Sequence, residues 1–211
     1  MTNKLIYGAV NDANYRVIHR ITTGYNPRTF KTLWICPYYS TWIGMLRRCT
    51  STYYNTKRPT YNGCFVCDEW KYFMNFRAWM MQQDWQDKQL DKDLIDPYNK
   101  MYGPDKCIFV DGKINSFVTK RQNGRGEYPI GVSLFTKTNK YIARCNDGYG
   151  NTIYLGTYDD PIQAHRAWQL KKSEIAIELK VGQDLKTQQV LDRIHNKIML
   201  DYTNGVETIY F

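Results

Sequence analysis

Three observations predict an α+β chain. Trp42, Met45, Leu46 and Cys49 recur at the i, i+3, i+4, i+7 spacing of one helical face. From Gly131 to Tyr158 the pattern switches to the period of two that a pleated strand imposes. Asp160-Pro161 then opens another long helical pattern, joining a capping carboxylate to a ring whose φ is already helical. The 211 residues suffice for one sizeable domain or two or three small modules, and 18 Tyr with 6 Trp mark a chain that folds.

The opening segment, Met1 to Ile35, mixes β-branched and aromatic residues with the turn pairs Asn11-Asp12 and Asn26-Pro27, and reads as short strands and loops. A helix is expected from Pro37 to Ser51, with Arg47 and Arg48 on the edge opposite its apolar face. A loop from Tyr53 to Gly63 follows, and Asp68 is placed to cap a second helix running through Gln83. Trp70, Phe73, Phe76, Trp79 and Met80 form an aromatic stripe along it, which reads as packing against the first helix.

At Gln89 the composition changes to Leu90-Asp91-Lys92-Asp93-Leu94, a polar loop to Asp105-Lys106-Cys107, apolar Ile108-Phe109-Val110 and a segment ending in Ile114-Asn115. Lys120-Arg121-Gln122-Asn123-Gly124-Arg125-Gly126 has the turn formers and charge of a basic linker. Beyond it, Gly131 to Phe135, Lys140 to Asn146 and Thr152 to Tyr158 are expected as three antiparallel strands packed on one helix, Asp160 to about Lys180. Val181-Gly182 ends that helix, and Asp184 starts a last one whose Val190, Leu191, Ile194 and Ile198 share a face. The expected organisation is a basic region over 1–89 with two amphipathic helices, a segment over 90–119, a linker over 120–129, a sheet-and-helix module over 130–181, and a C-terminal helix and tail over 182–211.

The formal charge of +9 is unevenly placed: residues 1–89 hold 12 Lys or Arg against 5 acids. Such an excess suits a phosphate backbone, because neutralising phosphates releases counterions. No basic start precedes an apolar stretch and no run is long enough to cross a bilayer, so the expectation is a cytoplasmic chain with no membrane partner. The six cysteines then read as reduced thiols. Cys64-x-x-Cys67 is half of a zinc pattern without a matching second pair, so zinc is not expected.

Gly131-Val132, Tyr141 before Ile142-Ala143, Tyr154-Leu155-Gly156-Thr157-Tyr158 and Ala164-His165-Arg166-Ala167-Trp168 resemble, in order and spacing, the APETALA2-type DNA-binding domain. Strand alternation sends Val132, Leu134, Tyr141, Ala143 and Cys145 toward the helix, where Ala164 and Ala167 permit close approach. The other face then presents Ser133, Phe135, Arg144, Asn146, Thr152 and Tyr154, with Lys137 and Lys140 at the hairpin tip. The resemblance implies that this face enters the major groove of double-stranded DNA, where Arg144 suits guanine and Asn146 suits adenine. Arg144 stands where the family has a glutamate, and Ser133, Phe135 and Asn146 where it often has arginines, so the implied base preference differs.

Leu90-Asp91-Lys92-Asp93 through Tyr102-Gly103-Pro104 to Ile114-Asn115 resembles a divergent HNH module (ββα-like) of phage homing endonucleases. The segments around Trp42 to Cys49 and Cys67-Asp68-Glu69-Trp70 are similar to the N-terminal part of those proteins. The resemblance implies a bacterial host cell, at the nucleoid, and backbone grip from Arg47, Arg48, Lys120, Arg121 and Arg125. It implies a Mg²⁺ or other divalent ion held by Asp91 and Asn115, with a base activating water. Lys92 occupies the family's histidine position, and Asp93 and His19 are the other candidate bases. Two functions follow: metal-dependent nicking or cleavage at a specific site, or a catalytically inactive derivative acting as a repressor or regulatory binder.

Overall fold

The computed structural model describes residues 5–118 and 127–211, and the chain is a mixture of helices and small sheets. It divides into two compact units, Met1–Gln86 with Leu90–Phe109, and Asp87–Gln89 with Val110–Phe211. Val110 to Val118 therefore groups with the C-terminal residues, although the sequence reading joins it to the segment before it. The inferred linker residues Lys120, Arg121 and Arg125 lie outside the described residues.

The N-terminal unit opens with a two-stranded ladder of β1 (Leu5–Ile6) and β2 (Ala9–Val10). Next comes an antiparallel hairpin of two eight-residue strands, β3 (Ile18–Tyr25) and β4 (Arg28–Ile35), turning at Asn26-Pro27. The turn falls where the Asn-Pro pair predicts one, but the strands are longer than the sequence suggests. All eight residues of β4 are exposed, so no inward face existed to produce an apolar alternation.

Helix α1 (Pro37–Thr50) begins at a proline whose missing N–H costs the first turn nothing, and it buries Tyr39, Trp42, Met45 and Leu46. A short α2 (Thr52–Lys57) follows, capped by the Ser51 side chain, then β5 (Phe65–Val66) and α3 (Phe73–Met80). The helix expected from Asp68 to Gln83 is thus corrected. Asp68 makes no capping bond and pairs with Lys71, one turn of 3₁₀ helix spans Glu69–Lys71, and Tyr72 is extended. The break has a cause: Tyr72 bridges to Val10, and Asp12, 62 residues from Met74, accepts its N–H at 2.9 Å and caps α3 from outside. The aromatic stripe is core as expected. Trp70, Phe73 and Phe76 are fully buried, and Trp42 Nε1 donates to the Trp70 carbonyl at 2.7 Å.

Strand β6 (Gln89–Asp91) pairs with β8 (Ile108–Val110), while β7 (Met101–Tyr102) runs parallel to β5. The C-terminal unit continues with α4 (Gly112–Val118) and an antiparallel sheet of β9 (Val132–Phe135), β10 (Lys140–Asn146) and β11 (Thr152–Tyr158), in the order β11-β10-β9. Asp160 caps α5 (Pro161–Glu178), accepting from Ile162 N–H, a bond worth about 1 kcal/mol. Val132, Ala143 and Ala164 form the sheet-helix core, small enough for helix and sheet to close without a gap. At Gly131, φ is +82° and an added Cβ would lie 2.1 Å from Trp168 Cδ1, so only glycine fits there.

Helix α6 (Leu185–Thr203), capped by Asp184, buries Val190, Leu191, Ile194 and Ile198 as its periodicity predicts. The residues after it are less legible. Thr208 is fully buried, its N–H donating to His165 Nε2 at 3.0 Å and its hydroxyl to Asp201 at 2.9 Å. Gln169 donates to the Val206 carbonyl, and Phe211 packs on Trp168 at 5.9 Å between ring centres. No helix among the described residues is long and apolar enough to cross a membrane.

Candidate nucleic-acid interface

Register places the predicted residues on one side of the β9–β11 sheet. Phe135 sits opposite Lys140, Ser133 opposite Ile142, Arg144 opposite Tyr154 and Asn146 opposite Thr152. Regular alternation along β10 keeps Ala143 and Cys145 buried on the helix side while Arg144 stays exposed, and the register shift beside Ala143 and Arg144 falls on β11, where Leu155 is the extra residue. Its guanidinium is lightly tethered, with one 3.4 Å bond from Nη1 to the Ser133 hydroxyl. Phe135 and Tyr154 are exposed rings, and the Tyr154 hydroxyl shares a 2.6 Å bond with Thr157.

Other members are already engaged. Asn146 Oδ1 accepts the Gly148 N–H at 2.6 Å, and its amide nitrogen reaches Ser116 at 3.5 Å. It closes the turn after β10, so a bidentate approach to adenine would require it to leave that turn. Lys140 pairs with Asp159 at 3.0 Å, an exposed bond easily exchanged for a phosphate. Lys137 and Thr152 are exposed. Ile142, half-buried at the centre of this face, was missed in the sequence. Its parity with Arg144 was the available signal, and it is an apolar contact suited to a thymine methyl.

In the N-terminal unit Arg47 is exposed, whereas Arg48 is half-buried. The Arg48 guanidinium lies 5.4 Å from the Tyr102 ring centre and 6.0 Å from that of Tyr61, and its Nε is buried without a partner. Arg48 therefore spends its charge on aromatic faces inside its own unit.

The residues matched to the HNH pattern lie partly in each unit, with Asp91, Lys92 and Asp93 in the first and Asn115 in the second. Asp91 Oδ1 accepts the N–H groups of Asp93 at 2.8 Å and Leu94 at 2.7 Å, closing the turn after β6. Burial, then the charge of Asp93, pushes its pKa above the ordinary carboxylate value despite those bonds. Lys92 is buried, bonded to the Asp93 carboxylate and donating to the Asn99 carbonyl at 3.1 Å. Burial works to lower its pKa, but the Asp93 contact outweighs it and the net shift is upward, so Lys92 holds its proton. A protonated ammonium cannot take a proton from water. Lys92 is thus a buried ammonium paired with the exposed carboxylate of Asp93, and Asp91 is committed to a turn.

Asn115, on α4, donates to Gln89 Oε1 at 2.5 Å. His19 lies on β3 opposite Trp34. His165 is fully buried, bonded through Nδ1 to the Ile130 carbonyl at 2.8 Å, and half-buried His195 bonds the Ser173 hydroxyl at 2.7 Å. All six cysteines are free thiols. Burial pushes the Cys49 and Cys107 thiols up to about 12, so they stay protonated at neutral pH. Among the described residues no group of three or more His, Cys, Asp or Glu is placed to hold a metal ion. Comparison of the chain with protein-family models, curated proteins and solved structures finds no match.

Proposed function

We propose that the chain binds double-stranded DNA through the open face of the β9–β11 sheet, as an endonuclease-derived regulatory binder that does not itself cut. One observation carries this: Val132, Ala143 and Ala164 close one face of the sheet onto α5, while on the other Phe135, Arg144, Thr152 and Tyr154 are exposed among the described residues, Arg144 lying between Ser133 and Tyr154. An exposed guanidinium on a strand, flanked by small and aromatic residues, has the reach and the fork of donors to read a guanine edge in the major groove. The resemblance to the APETALA2-type domain supports the same docking. Lys137 and Lys140 at the hairpin tip, with Arg47 and the basic residues Lys120, Arg121 and Arg125, would supply phosphate contacts.

The nuclease reading has support of its own in the paired strands β6 and β8 followed in the chain by α4, with β7 between the two strands pairing elsewhere, since an HNH module is two paired strands and a helix. Against it stands the protonated, buried Lys92 at the base position. Selection of a target from a random duplex pool, followed by incubation with Mg²⁺ or Mn²⁺, separates the two. Specific retardation without strand breaks supports the regulatory binder, metal-dependent breaks establish the nuclease, and failure to enrich any sequence removes both.

A further inference from the structure

The β3–β4 hairpin is a site that the sheet module does not account for. Its outer strand is exposed at every residue, and Tyr25, Phe30 and Trp34 leave 85%, 52% and 48% of their surface in solvent. Residues 13–67 hold 8 Lys or Arg and no Asp or Glu, so the ribbon stands in an acid-free stretch of chain. None of the salt bridges among the described residues involves Arg20, Arg28 or Lys31.

Cross-strand register puts Tyr25 beside Arg28, and the Arg28 guanidinium lies 5.2 Å from the ring centre of Phe30. Arg20 joins the same side, its Nε bonded to Thr32 at 3.2 Å. One face of the ribbon therefore alternates cation and aromatic ring, and Lys31 lies across from Ile21 on the other. Aromatic rings clustered on one exposed face mark an interaction surface. In a duplex the base faces are stacked inward and only edges are offered, whereas an unpaired strand presents both π-faces and phosphates at the spacing of successive nucleotides.

We infer that this face of the hairpin binds single-stranded nucleic acid, with Tyr25 and Phe30 as stacking platforms and Arg20 and Arg28 on the backbone. Cation-flanked aromatics are the arrangement that gives sequence-tolerant binding to unpaired strands. The site is independent of the sheet of the C-terminal unit, and it stands or falls whatever that sheet reads.

The test is fluorescence anisotropy of the full chain with labelled oligo-dT and with a random duplex of equal length. Tyr25→Ala/Phe30→Ala is expected to weaken oligo-dT binding about tenfold or more while changing duplex binding much less. Lys31→Ala, which removes a charge from the other face, is expected to weaken both modestly and alike. Thermal melts of each variant should match the parent, because the substituted rings are exposed. No oligo-dT binding by the parent chain, or equal losses on both ligands from the double variant, would overturn the inference. So would a concentration-dependent dimer that the double variant abolishes, which would make the hairpin a self-association surface.

Discussion

The Lys172 ammonium donates a 2.5 Å hydrogen bond to the carbonyl of Phe117 and lies 3.6 Å from the centre of the same residue's ring. Phe117 is the penultimate residue of α4, where carbonyls lack helical partners and the helix dipole is negative. A lysine from α5 therefore closes the end of α4, at the cost of burying a charge.

That burial gives a pH signature. Desolvation pulls Lys172 down to about 8, only partly offset by Cys145, against ~10.4 in an unfolded chain. Below pH 8 the folded protein bears the whole cost of the buried ammonium. Between there and ~10.4 the unfolded chain binds more protons than the folded one, so this site's contribution to stability rises with pH. The wild type should gain on Lys172→Met by up to ~3 kcal/mol between pH 7 and pH 10.5. Urea unfolding of both proteins across that range checks it, and taking the difference cancels the thiols and tyrosines that titrate in the same window. A flat difference would mean that water reaches Lys172.

Gly131→Ala should destabilise by roughly 2–4 kcal/mol, combining a positive φ with overlap on the Trp168 ring. In a Trp168→Leu background the overlap is relieved and only the backbone strain remains, so the same substitution should cost about 1 kcal/mol. Denaturant midpoints of the four proteins measure the coupling, and simple additivity would place the strain elsewhere.

What was legible in the sequence follows from where burial lies. Strands β9 to β11 fall within a residue of expectation because their helix-facing side is apolar and turns bracket them. Asp160-Pro161 marked the start of α5 because cap and ring act locally. The β3–β4 hairpin has no buried side, so its strands carry no period to detect. The start of α3 depends on Asp12, far away in sequence, and no local pattern contains it. Of the interface residues, the exposure of Arg144 followed from parity, but the commitments of Asn146 to its turn and Arg48 to two tyrosine rings needed three-dimensional neighbours.

Asp91→Ala should act on stability, lowering it by about 1–2 kcal/mol, because two backbone N–H groups lose their acceptor. Asp91→Asn keeps an acceptor and discards a carboxylate whose pKa is raised by burial and Asp93, so it should match or exceed the wild type in stability at pH 7. A raised carboxylate penalises the fold above its own pKa and ceases to do so as pH falls through it. The wild type should therefore approach or exceed Asp91→Asn only on acidification. Urea titrations from pH 7 down through the ordinary carboxylate range provide the comparison. An Asp91→Ala protein of full stability that had lost a metal-dependent cleavage would instead make Asp91 a catalytic ligand.

Arg144→Ala tests the DNA-binding face most directly. The guanidinium is exposed and, among the described residues, tied only to Ser133, so its removal leaves the sheet core of Val132, Ala143 and Ala164 untouched and should not shift the melting temperature. If Arg144 reads a base edge, affinity for the selected target should fall by ~1–3 kcal/mol while affinity for random duplex barely changes. If it only grips phosphate, both affinities fall together and the slope of log K against log salt loses about one contact. Ser133→Ala frees Arg144 from its single tether, so it should leave random binding unchanged and alter target affinity by less than Arg144→Ala. Measuring both variants on target and random duplexes at two salt concentrations distinguishes base readout from charge, because only base readout separates the two DNAs at equal ionic strength.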